Sequence, residues 1–489
     1  MTSISTSVHA RNFQHWYAAQ PPRLLALLIG FVGGVLGGLL GLGIVVLGPF
    51  PALVVVAAAL LGLTMLTNVI WALYGVVALI LLLPFGTMPF KLGLTPTLLD
   101  AALAIFLLVY LVEWMSGKRR SFLVVPPHAL IALYAMWLIF AFVLGLRYGS
   151  LSATLLRDFA SMLLSIGLTF IVVDLLRDSA ALRRLVLIVL LCAGVQAVLA
   201  VGLFLLPDSA AESLLVRLSR IGYPDGGVIR YIEDNPALGE RAIGTWIDPN
   251  ALGGILAVSA AMVAPQLFAQ RPVLRARWLT WSIFSAIALA LFLTSSRASF
   301  LALGIGLGLV VLLRYRRYVP LLLLTGSLFL LLPQTQGYIE RILQAFQGQD
   351  LSTQMRIGEW TDSLSLISRF PLTGIGFSGT PYIGLYTDVA NMYLIMANQI
   401  GLSGVVLFLL AMLGIFAYSR RAWKAARASP DFEAIHLGYH IALVVALLNA
   451  IADLYYFRLD FQSSIAWFWL VAALCLASSR LALSVTPRY

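Results

Sequence analysis

Charge is scarce in this chain. Only 11% of its 489 residues are charged, against 61% that are hydrophobic, and the mean hydropathy is +0.95. A soluble surface of that length cannot be covered so thinly, which excludes the soluble classes. Cysteine is scarcer still. Cys192 and Cys475 both lie inside apolar runs, where a thiol behaves as a small hydrophobe, so no disulfide framework and no metal-ligand spacing exists. Neither a metal nor a cofactor is expected. Acids are outnumbered, giving a net charge of +11. The basic residues, however, come in short clusters between apolar runs, a pattern of membrane topology rather than of nucleic-acid binding.

What is abundant is apolar sequence in runs near the roughly 20 residues that span a bilayer as helix, recurring from Leu24 to Leu483. None alternates as a transmembrane barrel would. The chain reads as an all-α polytopic integral membrane protein with about 12–14 transmembrane helices. Spans are expected near 24–46, 48–67, 69–85, 97–115, 126–146, 155–175, 182–206, 247–268, 278–296, 299–313, 319–333, 390–416, 435–456 and 464–480. The first run is too long for a signal peptide and reads as a retained helix.

The clusters "KRR" (118–120), "RDSAALRR" (177–184), "RPVLRAR" (271–277), "RYRR" (314–317) and "RRAWKAAR" (420–427) fall on one side by parity. By the positive-inside rule that side is cytoplasmic, with both termini. The organisation follows: N-terminal helices over 1–206, an extracytoplasmic loop over 207–246, central helices over 247–333, a large extracytoplasmic loop over 334–389 and C-terminal helices over 390–489. In the second loop Ile357, Trp360, Leu364 and Ile367 share one helical face, with Glu359, Asp362, Ser365 and Arg369 opposite. This is either a helix lying in the membrane interface or a lid packed on the bundle.

The predicted outer face collects three unusual stretches: "RAIGTWIDPNALGG" (241–254), "LTSSRAS" (293–299) and "RFPLTGIGFSGTPYIGLYTDVANMYLIMANQIGLSG" (369–404). In this order and spacing they resemble the O-antigen ligase and O-antigen polymerase superfamily. The resemblance implies a GT-C-like membrane glycosyltransferase of the bacterial inner membrane. Its donor would be a glycan on polyprenyl pyrophosphate, its acceptor a glycan or a lipid-linked molecule, and its surroundings membrane lipids, with a chain-length regulator as a possible partner.

A pyrophosphate at a membrane surface calls for arginine, whose planar fork bonds two phosphate oxygens and stays charged. Arg297 and Arg241 are the candidates, with Arg356 the third. Arg297 otherwise snorkels or pairs with a loop carboxylate, and Arg241 has Glu233, Asp234 and Glu240 as alternative partners. Asp248 is either a helix N-cap or a catalytic acid that also lines the binding site. Asn250, Asn391 and Tyr393 complete the candidate binding set. Ligases of the superfamily carry histidine before the asparagine of the last motif, where this chain has Ala390. None of His9, His15, His128, His436 and His440 falls on the outer face. The nearest substitute base is Asp388, which otherwise caps the next helix. The missing histidine favours a polymerase over a ligase, and a transporter or flippase remains as the alternative from another class, disfavoured by the lack of mid-span ionisable groups.

Overall fold

A computed structural model of the chain describes residues 34, 49–88, 95–320, 323–324, 326–327, 351–379 and 389–485. These contain 14 α-helices and almost no sheet. Met1–Asn68 is a unit of its own, in which α1 (Pro49–Thr67) is described. The second unit, Val69–Tyr489, holds everything below. Its helices are α2 (Val69–Leu82), α3 (Leu98–Met115), α4 (Pro127–Gly145), α5 (Ala153–Leu175), α6 (Ser179–Leu205) and α7 (Asp208–Val216). There follow a two-residue hairpin of β1 (Arg230–Tyr231) and β2 (Glu240–Arg241), α8 (Pro249–Leu267), α9 (Arg277–Thr294) and α10 (Arg297–Arg314). The last four are α11 (Leu351–Arg369), α12 (Met392–Ala428), α13 (Glu433–Asn449) and α14 (Gln462–Val485). Among the described residues, nine helices are long and apolar enough to cross a membrane, and α2 and α13 are shorter apolar helices. This is an all-α polytopic membrane protein.

Residue size decides which helix is central. In lipid, helices gain little from mutual burial of leucine, and close packing of small residues does more. The spanning windows of α8 and α14, rich in Ala, Gly and Ser, are 94% buried, whereas those of α3, α4, α9 and α10 lie between 28% and 39%. Gly438 of α13 shows the mechanism: a Cβ there would stand 2.8 Å from the Met262 carbonyl oxygen of α8.

The basic clusters gather at one end of the bundle, several of them in ion pairs. Arg119 meets Glu113 at 3.1 Å, Arg177 meets the fully buried Asp174 at 2.7 Å, Arg183 and Arg271 share Asp431 at 3.6 Å each, and Arg314 pairs with Glu433. All five basic clusters border this end. One boundary differs from the sequence reading: α12 does not stop near 416 but runs through "RRAWKAAR" to Ala428. Ala, Arg and Lys are good helix formers, so nothing in the cluster ends the helix. His128 belongs to the same end, stacked on Phe170 and using its ring nitrogens on Val125 N and Thr169 O.

α12 is broken nine residues in. Gly401 has φ 70° and ψ 172°, a backbone region essentially reserved for glycine. The break exposes three carbonyls, and each finds a donor: Asn398 O accepts from Ile375 N and Gln399 O from Gly376 N, both at 2.8 Å, while Ile400 O accepts from the Trp137 indole at 2.9 Å. Leu402 N in turn donates to Pro371 O at 2.8 Å. "PLTGIG" therefore lies along the broken helix as its missing hydrogen-bond partner. Gly374 permits it, since a Cβ there would stand 2.5 Å from the Gln399 carbonyl carbon. Gly401→Ala would combine backbone strain of about 1–3 kcal/mol with a collision against Leu372 O. A clearly lowered melting temperature of the purified protein is the expected result, and an unchanged one would mean the break is not constrained.

The helix expected around 357–367 exists as α11. Ser363 and Leu366 are buried, while Ile357 (54%), Trp360 (40%) and Leu364 (59%) stay exposed. It packs by its polar side and leaves the apolar stripe open. The helix is thus packed on the bundle with its apolar stripe exposed.

Candidate functional site

The motif stretches meet at the end of the bundle opposite the basic clusters. After the hairpin, Ala242 N donates to Leu293 O and Arg241 Nε to Thr294 O, both at 2.8 Å, docking "RAIGTW" on the last turn of α9. The next turn drops among the helices. Thr245 donates to Gln196 Oε1 at 2.9 Å, and Trp246, fully buried, donates its indole N–H to Leu81 O at 3.2 Å. This wedge fixes where α8 begins. There Asp248 is the N-cap: its Oδ1 accepts from Asn250 N and Ala251 N at 2.8 Å, and also from the Tyr455 hydroxyl at 2.9 Å. Pro249 takes the first helical position, where its missing N–H is harmless. Asn250 Oδ1 accepts from an Arg241 terminal nitrogen at 2.6 Å.

"LTSSRAS" is a hairpin between helices. Ser295, left-handed at φ 55°, and Ser296 alone join α9 to α10, and Arg297 is the first residue of α10. A cation in a first helical turn opposes the helix dipole, so the helix itself gives no reason for arginine there. Ser296 and Ser299 hydroxyls stand 2.9 Å apart, and Ser299 donates to Asn449 Oδ1 at 3.0 Å. The glycine pair of "DPNALGG" makes room: Cβ atoms at Gly253 and Gly254 would stand 2.8 Å from Ser296 Cβ and 2.9 Å from Asn449 Nδ2.

The start of α12 closes the ring. Asn391 caps it, its Oδ1 accepting from Tyr393 N at 2.9 Å and Leu394 N at 3.1 Å. Tyr393 donates to Leu447 O at 2.8 Å, and Met392 N donates to Ala450 O and Asp453 O at 2.9 and 3.0 Å. The Ala390 amide donates to Glu359 Oε2 of α11 at 3.1 Å.

At the junction sits a residue that the sequence reading missed. Asp453, in the connection between α13 and α14, is 4% exposed and accepts from Asn449 Nδ2 at 3.1 Å. Burial raises its carboxyl from 3.8 to about 7; Arg356 opposes the rise most, Asp248 adds to it, and Asn449 and Arg241 lower it again. Three candidates, Arg356, Asp248 and Arg241, thus act on one carboxylate, and Asn250 joins through Arg241. Arg297 lies two residues from Ser299, which is tied to the same Asn449. Asp388 lies outside the described residues. The missed signal was an acid inside the apolar run taken as the span 435–456, where ionisable residues are rare and mark sites.

A family model described as O-antigen ligase (Wzy_C) matches residues 281–418. The match includes the Ser-Arg hairpin, α11, "PLTGIG" and α12 with its break as far as Tyr418; Arg241, Asp248 and Asp453 lie outside it. No curated protein matches the chain.

Proposed function

From a chain whose residues 281–418 match a family model described as O-antigen ligase, we propose a membrane glycosyltransferase that extends a polysaccharide from a polyprenyl-pyrophosphate-linked donor. The motif end faces outward across a bacterial inner membrane and the basic end faces the cytoplasm, as the positive-inside rule requires. One observation carries the reading: the buried carboxylate of Asp453 lies where the starts of α8 and α12 and the end of α13 meet, with Arg241 of the first motif stretch and Arg356 of α11 the cations that act on it.

The chemistry is a displacement. An acceptor hydroxyl oxygen bonds to the anomeric carbon of the donor as the bond from that carbon to the pyrophosphate oxygen breaks. The electron pair leaves with the diphosphate, whose charge Arg297 and Arg241 stabilise. The hydroxyl proton passes to Asp453, a role that Ala390, at the position where ligases carry histidine, cannot fill. Asn391 and Asn250 present amide groups beside the reacting sugars, and Asp248 and Tyr393 hold the helix starts in register.

A base works ionised, so activity should climb through pH 7 and level off above it, a limb readable in a pH series of initial rates. The direct test is proteoliposomes holding the purified protein and a polyprenyl-pyrophosphate oligosaccharide as the only glycan. A ladder of products is expected. Transfer only after lipid A core is added would identify a ligase, and no product with either acceptor would overturn the enzyme reading.

A further inference from the structure

α11 reaches the site with one face. Arg356, Glu359 and Ser363 are spaced three and four residues apart and so line one side of the helix. Glu359 Oε2 accepts the Ala390 amide proton at 3.1 Å, and Ser363 donates to Asn398 Oδ1 at 3.0 Å. The adjoining face, with Ile357, Trp360 and Leu364, is exposed. Polar contacts, together with the buried Leu366, therefore set how this 19-residue helix sits. One turn before Glu359, Arg356 is the strongest cation acting on Asp453.

We propose that Glu359 is a positioning residue: by accepting from the amide of Ala390, two residues before Met392, whose own amide donates to Asp453 O at 3.0 Å, it seats α11 on the start of α12 and so keeps the Arg356 guanidinium near Asp453. The carboxylate comes from α11 to the very backbone position where ligases of the superfamily place histidine. The inference rests on the reading of Asp453 as proton acceptor for its meaning, while its geometry is separate. The groups facing Asp453 are Arg356 from α11, Arg241 from β2, Asp248 from before α8, Asn449 from α13 and Tyr455 and Tyr456 from its own connection.

The test is a pH titration of the protonated-carboxyl infrared band of the purified full-length protein, assigned to Asp453 by its loss in Asp453→Asn. The wild-type midpoint is expected near 7. With Glu359→Ala or Arg356→Gln, burial and Asp248 act with less opposition, and the midpoint should rise by about one pH unit or more. Glu359→Gln keeps an oxygen for the Ala390 amide and should hold the wild-type midpoint. Should Glu359→Ala not fold, Glu359→Asp keeps the charge but shortens the reach, and is expected to raise the midpoint likewise. An unmoved midpoint in Glu359→Ala or Glu359→Asp overturns the positioning role, and so does a Glu359→Gln shift as large as that of Glu359→Ala. A wild-type midpoint near 7 together with full glycan transfer by Asp453→Asn would instead sink the catalytic reading of Asp453 and leave the positioning intact.

Discussion

Asp453→Asn should lower glycan transfer by roughly a hundredfold to ten-thousandfold, the contribution of a positioned base, with the protein still folded and inserted. Asparagine is nearly isosteric and its side-chain oxygen can still accept from Asn449, but it takes up no proton. Stability should move the other way. A carboxyl raised from 3.8 to about 7 in the fold stabilises it fully only below the lower value, and that contribution fades as pH rises between the two. Asparagine carries no such ionisation, so the variant should melt no lower than wild type at pH 8. Initial rates in proteoliposomes and melting curves of the same preparation would check both halves. Full transfer by Asp453→Asn, with loss in Asp388→Asn, would move the base to the carboxylate upstream of Ala390.

Arg297→Lys is the second large effect, expected as a tenfold to hundredfold loss of transfer at normal membrane abundance. Lysine keeps the charge, so an arginine that merely marks the membrane surface would tolerate the change. It cannot reproduce two parallel bonds to a diphosphate. A charge-assisted hydrogen bond is worth about 1.5–3 kcal/mol, and if lost only in the transition state it appears in the rate at about 1.4 kcal/mol per decade. Arg241→Lys should also disturb the protein itself, because the arginine ties Thr294 O and Asn250 Oδ1 together. Polymer of normal length and amount from Arg297→Lys would remove Arg297 from the chemistry.

The helices were legible because a bilayer sets their length and composition, and the boundaries of α3 to α6 and α8 to α10 fall within a few residues of the apolar runs. The meeting of the motifs was legible in outline, since parity put them on one face. Their packing was not. That "GTW" is a buried wedge depends on Gln196 and Leu81, far away in sequence, and no local pattern distinguishes a wedge from a loop. Asp453 was hidden because it lies at the end of an apolar run and resembles a boundary. The long course of α12 was hidden for the opposite reason: its charges were read as the end of a helix when they only ended the apolar part of it. The centrality of α8 was available from its small residues, though not from its hydropathy, which is below that of the peripheral α3 and α4.

The broken helix has a bearing on how such proteins can be recombined. Because "PLTGIG" supplies the donors that the break at Gly401 leaves wanting, and the break supplies the room that "PLTGIG" fills, neither stretch has a stable alternative without the other. They form two halves of one hydrogen-bonded part. A chimaera between this chain and a relative can exchange residues 369–404 as a block, but a crossover placed between Gly376 and Met392 would join a strap cut for one helix to a helix broken for another strap.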